Sequence, residues 1–549
     1  MDSFPILSCI AYAPAVCALL ILLVPQANKE LPRRLAVLGT GLSFLLSLIP
    51  LFGLKHNADF QYTEHKLWLK DLGISYFLGV DGISVLLVAI TSLLGLLAVI
   101  WSWSTIDHRP REYYIGLLLV VTGMLGIFMA LDLFIFYIFW EVMLIPLALL
   151  IGVWGGPNRV YAAVKFFLYT FFGSLLMLVG IVATYQAYFN QTNIRTLNVL
   201  ELQGGNYSHD FQFWVFAAFF IAFAIKVPVF PFHTWLPDVQ MQAPTAASVM
   251  LTSEIGAYGI IRFCLPLFPQ GLKDWTPVII TLSLIAVVYA ALIAFVQPDV
   301  KRLVAYASIS HLGLLTVGLF VGNIQGMDGA IMLMMAHGFN TGAMFLMAGM
   351  LYQRAKSQEI DSFGGLATRM PIWTTFFAIF VLASIGLPGL SSFVGEFLVS
   401  LGTWHYNRWL TIVTFGVVIL SAWYMLTFFQ RMVFGRASRE LPDPGDGELT
   451  DGERRELAAA GGGHGLGHGG LAPVSGGAHE PGDADVAIAT HEGQLDSIDW
   501  TDLTPKEILT LLPLAALTIF FGVYPKPILT IAEPSFQAIL SGAARVVGN

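Results

Sequence analysis

Fourteen apolar stretches, each of about 20 residues, follow one another along this chain of 549 residues. A stretch of that length can cross a bilayer as a helix, which satisfies its own backbone hydrogen bonds where water is absent. A membrane β-barrel would show shorter segments of alternating polarity instead. The sequence therefore predicts an all-α, polytopic membrane protein with about 14 transmembrane helices, near residues 5–24, 35–54, 78–103, 112–131, 133–153, 162–187, 211–235, 243–264, 277–296, 303–321, 327–350, 372–400, 409–433 and 508–530.

The composition excludes several classes of protein. Charged residues make up 12% of the chain and apolar residues 56%, whereas about 25% of the residues of a soluble protein are charged. A chain of this size cannot hide so much apolar surface from water, so a soluble enzyme is excluded. The net charge of −8 leaves no basic excess for binding nucleic acid. The acidic segment 439–507 accounts for the whole of that negative charge.

Lysine and arginine are distributed unevenly between the two predicted sides of the membrane. With the N-terminus placed outside, the inner side carries 18 of these residues and the outer side carries 9. Basic residues are enriched in cytoplasmic loops. The bias therefore predicts a protein of a bacterial inner membrane with both termini on the periplasmic side.

Two of the predicted helices contain residues that break helices. The seventh contains Pro228, Pro231 and Pro237, and the twelfth contains Pro388 among several glycines. Each interruption falls in the fourth helix of a block of five, helices 4–8 and helices 9–13. Matching broken helices are typical of transporters built from inverted repeats. The alternative is that Pro and Gly are simply more frequent in membrane helices.

This pattern divides the chain into five predicted regions. They are helices 1–3 (1–111), a first five-helix repeat (112–264), a second five-helix repeat (265–436), a flexible cytoplasmic loop rich in Gly, His and acidic residues (437–505), and helix 14 (506–549). The loop contains four histidines that could bind a metal, namely His464, His468, His479 and His491. A disordered insertion is the simpler interpretation because nothing preorganises a site. We therefore expect no metal site.

Cofactor-binding motifs are absent from the sequence. Cys9, Cys17 and Cys264 lie in apolar runs without the spacing of an iron–sulfur, haem or disulfide motif. The glycine-rich run 461–470 neither follows a predicted strand nor precedes a predicted helix, so it is no nucleotide-binding loop. We therefore expect no cofactor on this chain.

Few ionisable residues fall inside the predicted helices. Each is a candidate for function, because a charged group at membrane depth costs several kcal/mol. Histidine exchanges protons near neutral pH, and a buried Lys can load or release a proton when a nearby carboxylate moves. The set therefore indicates proton transfer, and it consists of Glu141, Lys226, Glu254, His311, His337 and Glu396.

Each of these candidates has a structural alternative. His311 and His337 could be core histidines with satisfied hydrogen bonds, and Glu254 could bond a neighbour for purely structural reasons. His233, in the proline-rich stretch, could brace the break in the seventh helix. Glu141 lies near the middle of its predicted helix, so a surface position does not explain it.

Eight runs around these residues form a specific combination that covers most of the 14 helices. They are Gly79-Val-Asp-Gly-Ile-Ser84, Phe139-Trp-Glu-Val-Met-Leu-Ile-Pro146, Lys165-Phe-Phe-Leu-Tyr-Thr170, Lys226-Val-Pro-Val-Phe-Pro-Phe-His-Thr-Trp-Leu-Pro-Asp238, Ala243-Pro-Thr245, Lys301-Arg-Leu-Val-Ala-Tyr306, Ile309-Ser-His-Leu-Gly313 and Val394-Gly-Glu-Phe397. The combination resembles the subunit M family of bacterial respiratory complex I (NADH:quinone oxidoreductase), the counterpart of mitochondrial subunit 4. The absence of a long lateral helix at the C-terminus favours the M type over the L type.

The resemblance implies a proton-translocating, antiporter-like subunit that couples quinone reduction elsewhere in the complex to proton pumping. It implies that Glu141 and Lys226 form the family's Glu–Lys pair, which gates a half-channel. His311 and His337 would belong to a central polar axis, and Glu396 would pass protons outward or to the next subunit.

The resemblance also implies partners. FMN, iron–sulfur clusters and quinone would be bound by other subunits, so this chain would carry out no redox chemistry itself. The neighbours would be the antiporter-like subunits L and N within the lipid bilayer, with the peripheral arm an indirect partner.

One position departs from the family's pattern. The family carries a Lys in helix eight, four residues before a Tyr-Gly pair, whereas this chain carries Glu254 before Tyr258-Gly259. The stretch from Pro244 to Tyr258 is also about three residues shorter than the family's. A Glu can still relay protons, but the charge at this place is inverted.

Two other functions remain open from the sequence. One is a subunit of a multi-subunit cation/proton antiporter, which shares the same ancestry and the broken helices. The other is a subunit of a ferredoxin- or hydrogenase-linked complex. A passive scaffold without an ion path is a third, different class.

Overall fold

The computed structural model describes residues 4–435 and 500–547, with the side chains of the last five of these excepted. It is a bundle of long helices with one β-hairpin between the second and the third helix. In chain order the helices are α1 (Ile6–Leu22), α2 (Glu30–Gly53), α3 (Gly82–Thr105), α4 (Pro110–Met129), α5 (Leu133–Trp154), α6 (Arg159–Thr192), α7 (Val199–Leu202), α8 (His209–Lys226), α9 (Trp235–Gln242), α10 (Thr245–Met250), α11 (Ile255–Gly259), α12 (Leu265–Leu267), α13 (Pro269–Phe295), α14 (Val300–Phe320), α15 (Ile324–Ala355), α16 (Leu366–Arg369), α17 (Pro371–Ser384), α18 (Ser391–Tyr406), α19 (Arg408–Val433), α20 (Pro505–Val523) and α21 (Lys526–Val547).

The predicted membrane-spanning architecture is confirmed. Within the described ranges, 12 helical segments are long and apolar enough to cross a membrane, with α10–α12 (Thr245–Leu267) counted as one. The remaining two predicted stretches correspond to α1, which is 17 residues long, and to the pair α17–α18. The sequence did not predict α21, which follows the last spanning helix after a short turn.

Both predicted helix breaks are present. The seventh predicted helix ends as α8 at Lys226 and resumes as α9 at Trp235. The twelfth ends as α17 at Ser384 and resumes as α18 at Ser391, with Gly386 at φ +77° and Gly389 at φ +94° in the turn. Glycine adopts these left-handed conformations without the steric cost that a Cβ would bring. The relation of the two halves as inverted repeats, and the five regional boundaries, stay predictions.

The eighth predicted helix, which corresponds to α10–α12, contains a third break that the sequence analysis did not predict. The chain leaves helical geometry after Met250 and resumes at Ile255, so Glu254 lies at the N-terminal cap of α11. The residues Leu251-Thr-Ser-Glu254 contain neither Pro nor Gly, and the usual sequence signals of a break are therefore missing.

One small β-hairpin accompanies the helices. Strands β1 (Gln61–Leu69) and β2 (Ile74–Val80) pair in antiparallel fashion. Glu64 of β1 accepts the backbone N–H of Leu7 at 2.7 Å, at the start of α1. Asp132, at the start of α5, accepts the N–H of Ser75 in β2 at 3.0 Å. The hairpin is thus tied to the ends of two membrane helices, and burial raises the pKa of the Asp132 carboxyl.

The two ends of the bundle differ. We call the end that carries β1 and β2 the hairpin end, and the opposite end the basic end. At the basic end the guanidinium of Arg354, in α15, binds both carboxylate oxygens of Glu507, in α20, at 2.8 and 2.9 Å. Among the described residues, most of the Lys and Arg residues assigned to the inner side lie in the helix ends and connections at this end.

Arg262 is an exception among the basic residues assigned to the outer side. It is no loop residue, because its side chain is 6% exposed and its Nη2 lies 2.7 Å from Oδ1 of Asp81, which is 2% exposed. It also donates to Tyr258 Oη and Ser84 Oγ, both at 3.2 Å. Burial alone would raise the pKa of Asp81, but the charge and the hydrogen bond of Arg262, together with the hydrogen bonds from Ser84, outweigh burial and lower it. The C-terminal half of the eighth predicted helix (α10–α12) is therefore fixed to the start of α3.

Removal of the Arg262 charge tests this anchor. We expect Arg262→Met to destabilise the protein by about 3–5 kcal/mol, because Asp81 is left as an uncompensated buried charge. The double variant Arg262→Met/Asp81→Asn should recover part of the loss, since both charges are then removed. Thermal unfolding of the purified protein measures the difference. As a control, Asp107→Asn removes an ion pair whose carboxylate is 79% exposed and should change stability by less than about 1 kcal/mol.

Candidate functional site

The six predicted ionisable residues form three groups, and one residue of each group lies at or next to a helix break, namely Lys226, Glu254 and Glu396. We call all six together the ionisable row. Lys226 ends α8, and Glu141 lies on α5, which contributes Met143 to the surroundings of Lys226. The other two groups are pairs: Glu254 with His337, and His311 with Glu396.

The Lys226 ammonium lies in an environment of sulfur and aromatic rings. The side chain is buried, and its nearest polar contact is Met143 Sδ at 3.9 Å. The Phe166 ring centroid lies 5.1 Å from Nζ and the Trp235 centroid lies 5.9 Å away. Both distances allow cation–π attraction. Within the described part of the chain no carboxylate oxygen lies within 4.0 Å of this ammonium.

Glu141 is therefore not in direct contact with Lys226, although the resemblance implies that the two form a pair. Its Oε1 is buried and has no hydrogen-bond partner among the described residues. Met143, two residues further along α5, is the residue that touches Lys226. Residues two apart on a helix do not share a face, so Glu141 and Lys226 do not face the same side of α5 and form no ion pair.

Glu254 and His337 form a close buried pair. Glu254 Oε1 lies 2.5 Å from His337 Nδ1, and both side chains are at most 6% exposed. His337 Nε2 lies 2.6 Å from Ser308 Oγ on α14. The pair therefore connects the break between α10 and α11 with α15 and, through Ser308, with α14. Both ring nitrogens of His337 thus have partners, one of which, Glu254, is itself ionisable.

A small cavity joins Lys226 to this pair. Its walls include Lys226, Glu254, Ser308 and His337. The volume of this cavity is about 10 Å³, which is close to the minimum that one water molecule needs. A single water there can connect the Lys226 ammonium with the Glu254–His337 pair.

His311 and Glu396 approach each other at the break between α17 and α18. His311 Nδ1 lies 3.4 Å from Glu396 Oε1, which is close enough for charge attraction but lacks hydrogen-bond geometry. Glu396 Oε2 has no hydrogen-bond partner among the described residues. This oxygen points at Gly386, where the Cβ of an alanine would lie 2.1 Å from it. The glycine thus makes room for the carboxylate.

The structure also places residues that the sequence analysis did not assign to the site. Ser308 extends the Glu254–His337 pair, and Asp238 of α9 binds Lys165 of α6 at 2.7 Å. Asp238 and Lys165 both stand in the runs that carry the family resemblance, which was the available signal. His233 is buried against the rings of Phe230 and Tyr289 and takes no part in the row.

No cluster of three or more His, Cys, Asp or Glu residues suited to a metal ion occurs in the ranges 4–435 and 500–547. His464, His468, His479 and His491 lie outside the described residues. Chemically, the row offers carboxylates, imidazoles and one amine, all of which take up and release protons. A row of such groups at membrane depth is suited to proton transfer.

Two glycines form a matched pair that tests the position of Glu396. Gly386 and Gly389 both have positive φ, so an Ala at either place costs about 1–2 kcal/mol of backbone strain. A Cβ at Gly386 meets Glu396, whereas a Cβ at Gly389 meets nothing within 4 Å in the described structure. We expect Gly386→Ala to lower the thermal midpoint more, and Gly386→Ala/Glu396→Ala to recover the difference. Equal midpoints for the two single variants would contradict this contact.

Comparison with known proteins identifies the family. A family model described as NADH:quinone oxidoreductase/Mrp antiporter, TM matches residues 130–421. The NADH-quinone oxidoreductase subunit M of Rhodobacter capsulatus is 42% identical over 456 residues, which cover 79% of this chain and 87% of that protein. A chain of respiratory complex I from Thermus thermophilus has a TM-score of 0.76 and 30% identity, covering 97% of this chain and 99% of its own. A chain of the Mrp complex from Dietzia sp. has a TM-score of 0.77 at 21% identity, covering 98% and 100%, and shares the fold alone. The chain therefore belongs to the subunit M family of NADH-quinone oxidoreductase.

Proposed function

We propose that this chain is a proton-translocating, antiporter-like membrane subunit of NADH:quinone oxidoreductase. It would couple quinone reduction elsewhere in the complex to proton pumping. The observation that carries the proposal is the ionisable row, in which Lys226, Glu254 and Glu396 lie at or next to three helix breaks and a cavity joins Lys226 to the Glu254–His337 pair.

Each group has a role in this proposal. Lys226 loads a proton, and Glu141, which lacks a partner at Oε1, is the carboxylate whose distance sets how strongly that proton is held. The Glu254–His337 pair receives the proton through the cavity water, and Ser308 continues the hydrogen-bonded chain. His311 and Glu396 pass it towards the hairpin end or to the neighbouring subunit.

The inverted charge at Glu254 is compatible with this transfer. A carboxylate 2.5 Å from an imidazole can share one proton with it, so the pair changes its charge by one unit when a proton arrives or leaves. The pair thus does what a single titrating side chain would do at the same place.

The redox chemistry of the enzyme belongs to other chains in this proposal. FMN, the iron–sulfur clusters and quinone would be bound by other subunits, and this chain would respond to their chemistry through its conformation and charges. The described residues that titrate at membrane depth transfer protons only and carry no electrons.

We further propose how the subunit is placed. The basic end would face the cytoplasm and both termini the periplasm, in a bacterial inner membrane, because Lys and Arg concentrate at the basic end. The flanking subunits would be the antiporter-like subunits L and N, with the peripheral arm as an indirect partner.

Neutral substitutions of Glu141 and Lys226 test the proton path. In inverted membrane vesicles supplied with NADH and quinone, Glu141→Ala and Lys226→Ala should each slow proton uptake by at least about tenfold, because a proton carrier is lost. The readouts are a pH-sensitive dye and NADH oxidation measured in parallel. Glu359→Ala and Lys55→Ala, at exposed sites outside the row, are the matched controls and should leave both rates unchanged. Coupled pumping that survives in both row variants would refute the mechanism.

The composition of the purified complex separates this function from that of a cation/proton antiporter, whose fold is shared. Purification through a tag on this chain should recover flavin- and iron–sulfur-containing subunits together with NADH:quinone oxidoreductase activity. Spectra of the bound flavin and clusters measure the outcome. Recovery of antiporter subunits without these groups, or sodium-driven proton movement without NADH oxidation, would support the alternative instead.

A further inference from the structure

The half-helix α9 separates Lys226 from the basic end of the molecule. It begins after the break that follows Lys226 and ends at Gln242, whose carbonyl accepts the N–H of Gly156 at 2.8 Å. The next carbonyl, of Ala243, accepts Lys301 Nζ at 3.0 Å. A cavity of about 920 Å³ opens at this end and is lined by Gln242, Ala243 and Lys301 among others. Water in this cavity therefore reaches the far end of α9 but not Lys226.

Two aromatic rings cover the Lys226 ammonium. The ring centroids of Phe166 on α6 and Trp235 on α9 lie 5.3 Å apart, and both rings face the Lys226 ammonium. Trp235 Nε1 also donates to the carbonyl of Ile225 at 2.8 Å, next to Lys226. The cover over Lys226 thus consists of one ring from each of two helices, and it exists only while α6 and α9 stay together.

Asp238 holds these two helices together. It lies one turn beyond Trp235 on α9, and its Oδ2 is 2.7 Å from Nζ of Lys165, the residue before Phe166 on α6. Its Oδ1 is 3.3 Å from Nη2 of Arg302 on α14. One carboxylate therefore binds cations from two different helices, directly beside the aromatic cover.

The ion pairs of Asp238 differ in strength from the Asp81–Arg262 ion pair at the hairpin end. The side chains of Lys165, Asp238 and Arg302 are 20%, 25% and 40% exposed, whereas Asp81 and Arg262 are almost completely buried. Partly exposed ion pairs contribute little net stability. The Asp238 contact can therefore break and re-form at low cost, while the Asp81–Arg262 contact stays closed.

We propose that Asp238 latches α9 over Lys226, and that release of this latch admits water from the basic end to the Lys226 ammonium. The proposal rests on the proton-translocating function proposed above, and it gives Asp238, Lys165 and Arg302 the role of positioning residues. With the latch closed, Lys226 exchanges protons only with the cavity it shares with Glu254 and His337. With the latch open, it exchanges them with the basic end.

Thiol labelling in the assembled complex tests the latch directly. Leu236 lies on α9, is 4% exposed and lines the cavity beside Lys226, so Leu236→Cys reports water access. Membrane vesicles of both orientations are treated with a membrane-impermeant, cationic methanethiosulfonate. The parent chain without Leu236→Cys corrects for Cys9, Cys17 and Cys264. We expect slow labelling, and labelling from the basic end about fivefold faster once Asp238→Asn removes the ion pairs of the closed state.

Further variants distinguish a latch from general loosening. Lys165→Met should accelerate labelling similarly, and the Asp238→Asn/Lys165→Met double variant should add little, because both remove the same contact. Asp238→Glu should restore slow labelling. Asp361→Asn, which removes an exposed ion pair with Arg431, is the matched control and should leave the rate unchanged.

Several results would overturn the proposal. An unchanged rate in Asp238→Asn, or fully additive effects of Asp238→Asn and Lys165→Met, would show that the contact does not control access. If Asp238→Asn prevents assembly, Arg302→Gln takes its place, with the same expected direction and the same contradicting outcome. The labelling rate does not depend on pumping. If the Lys226→Ala variant still pumped protons, the proposed function would be wrong, but the labelling result would still decide whether the latch exists.

Discussion

The absence of water at membrane depth is the constraint on which this structure depends. A continuous helix meets it alone, but each break leaves backbone carbonyls that need a donor from elsewhere. At the first break the indole of Trp235 donates to the carbonyl of Ile225. Three members of the ionisable row, Lys226, Glu254 and Glu396, lie at or next to a break. The breaks thus bring backbone groups and ionisable side chains that need partners to the same places within the membrane.

The three groups of the row are held with different strengths. At the centre, Glu254 and His337 lie in close contact, whereas His311 and Glu396 are only loosely associated. Glu141 and Lys226 have no contact with each other. Tightly held groups stabilise the bundle, and loosely held ones can change partners at low cost. This arrangement provides a fixed centre with exchangeable groups on both sides, which a relay requires.

The sequence predicted the spanning helices well, because hydropathy over about 20 residues reports directly on the cost of burying polar groups in lipid. It also predicted the breaks marked by Pro228 and Gly386, and it singled out the six residues of the row, whose role in proton transfer stays a prediction. It did not predict the break before Glu254, which carries no Pro or Gly, or the hairpin, whose strands of nine and seven residues are shorter than a hydropathy window. The partners of each ionisable residue, such as His337 for Glu254 and Asp238 for Lys165, come from distant parts of the chain. Only the packed structure brings them together.

The carboxylate at Glu254 has a consequence for the charge balance of the row as a whole. The row contains three carboxylates, one amine and two imidazoles. Counted with ionised carboxylates, neutral imidazoles and a charged amine, the row has a charge of −2, and a net charge in a low-dielectric interior is unfavourable. Two further protons, on imidazoles or on carboxylates, bring that sum to zero. A Lys at position 254 would change the same count by two units, so the residue at this position decides how many protons a neutral row holds.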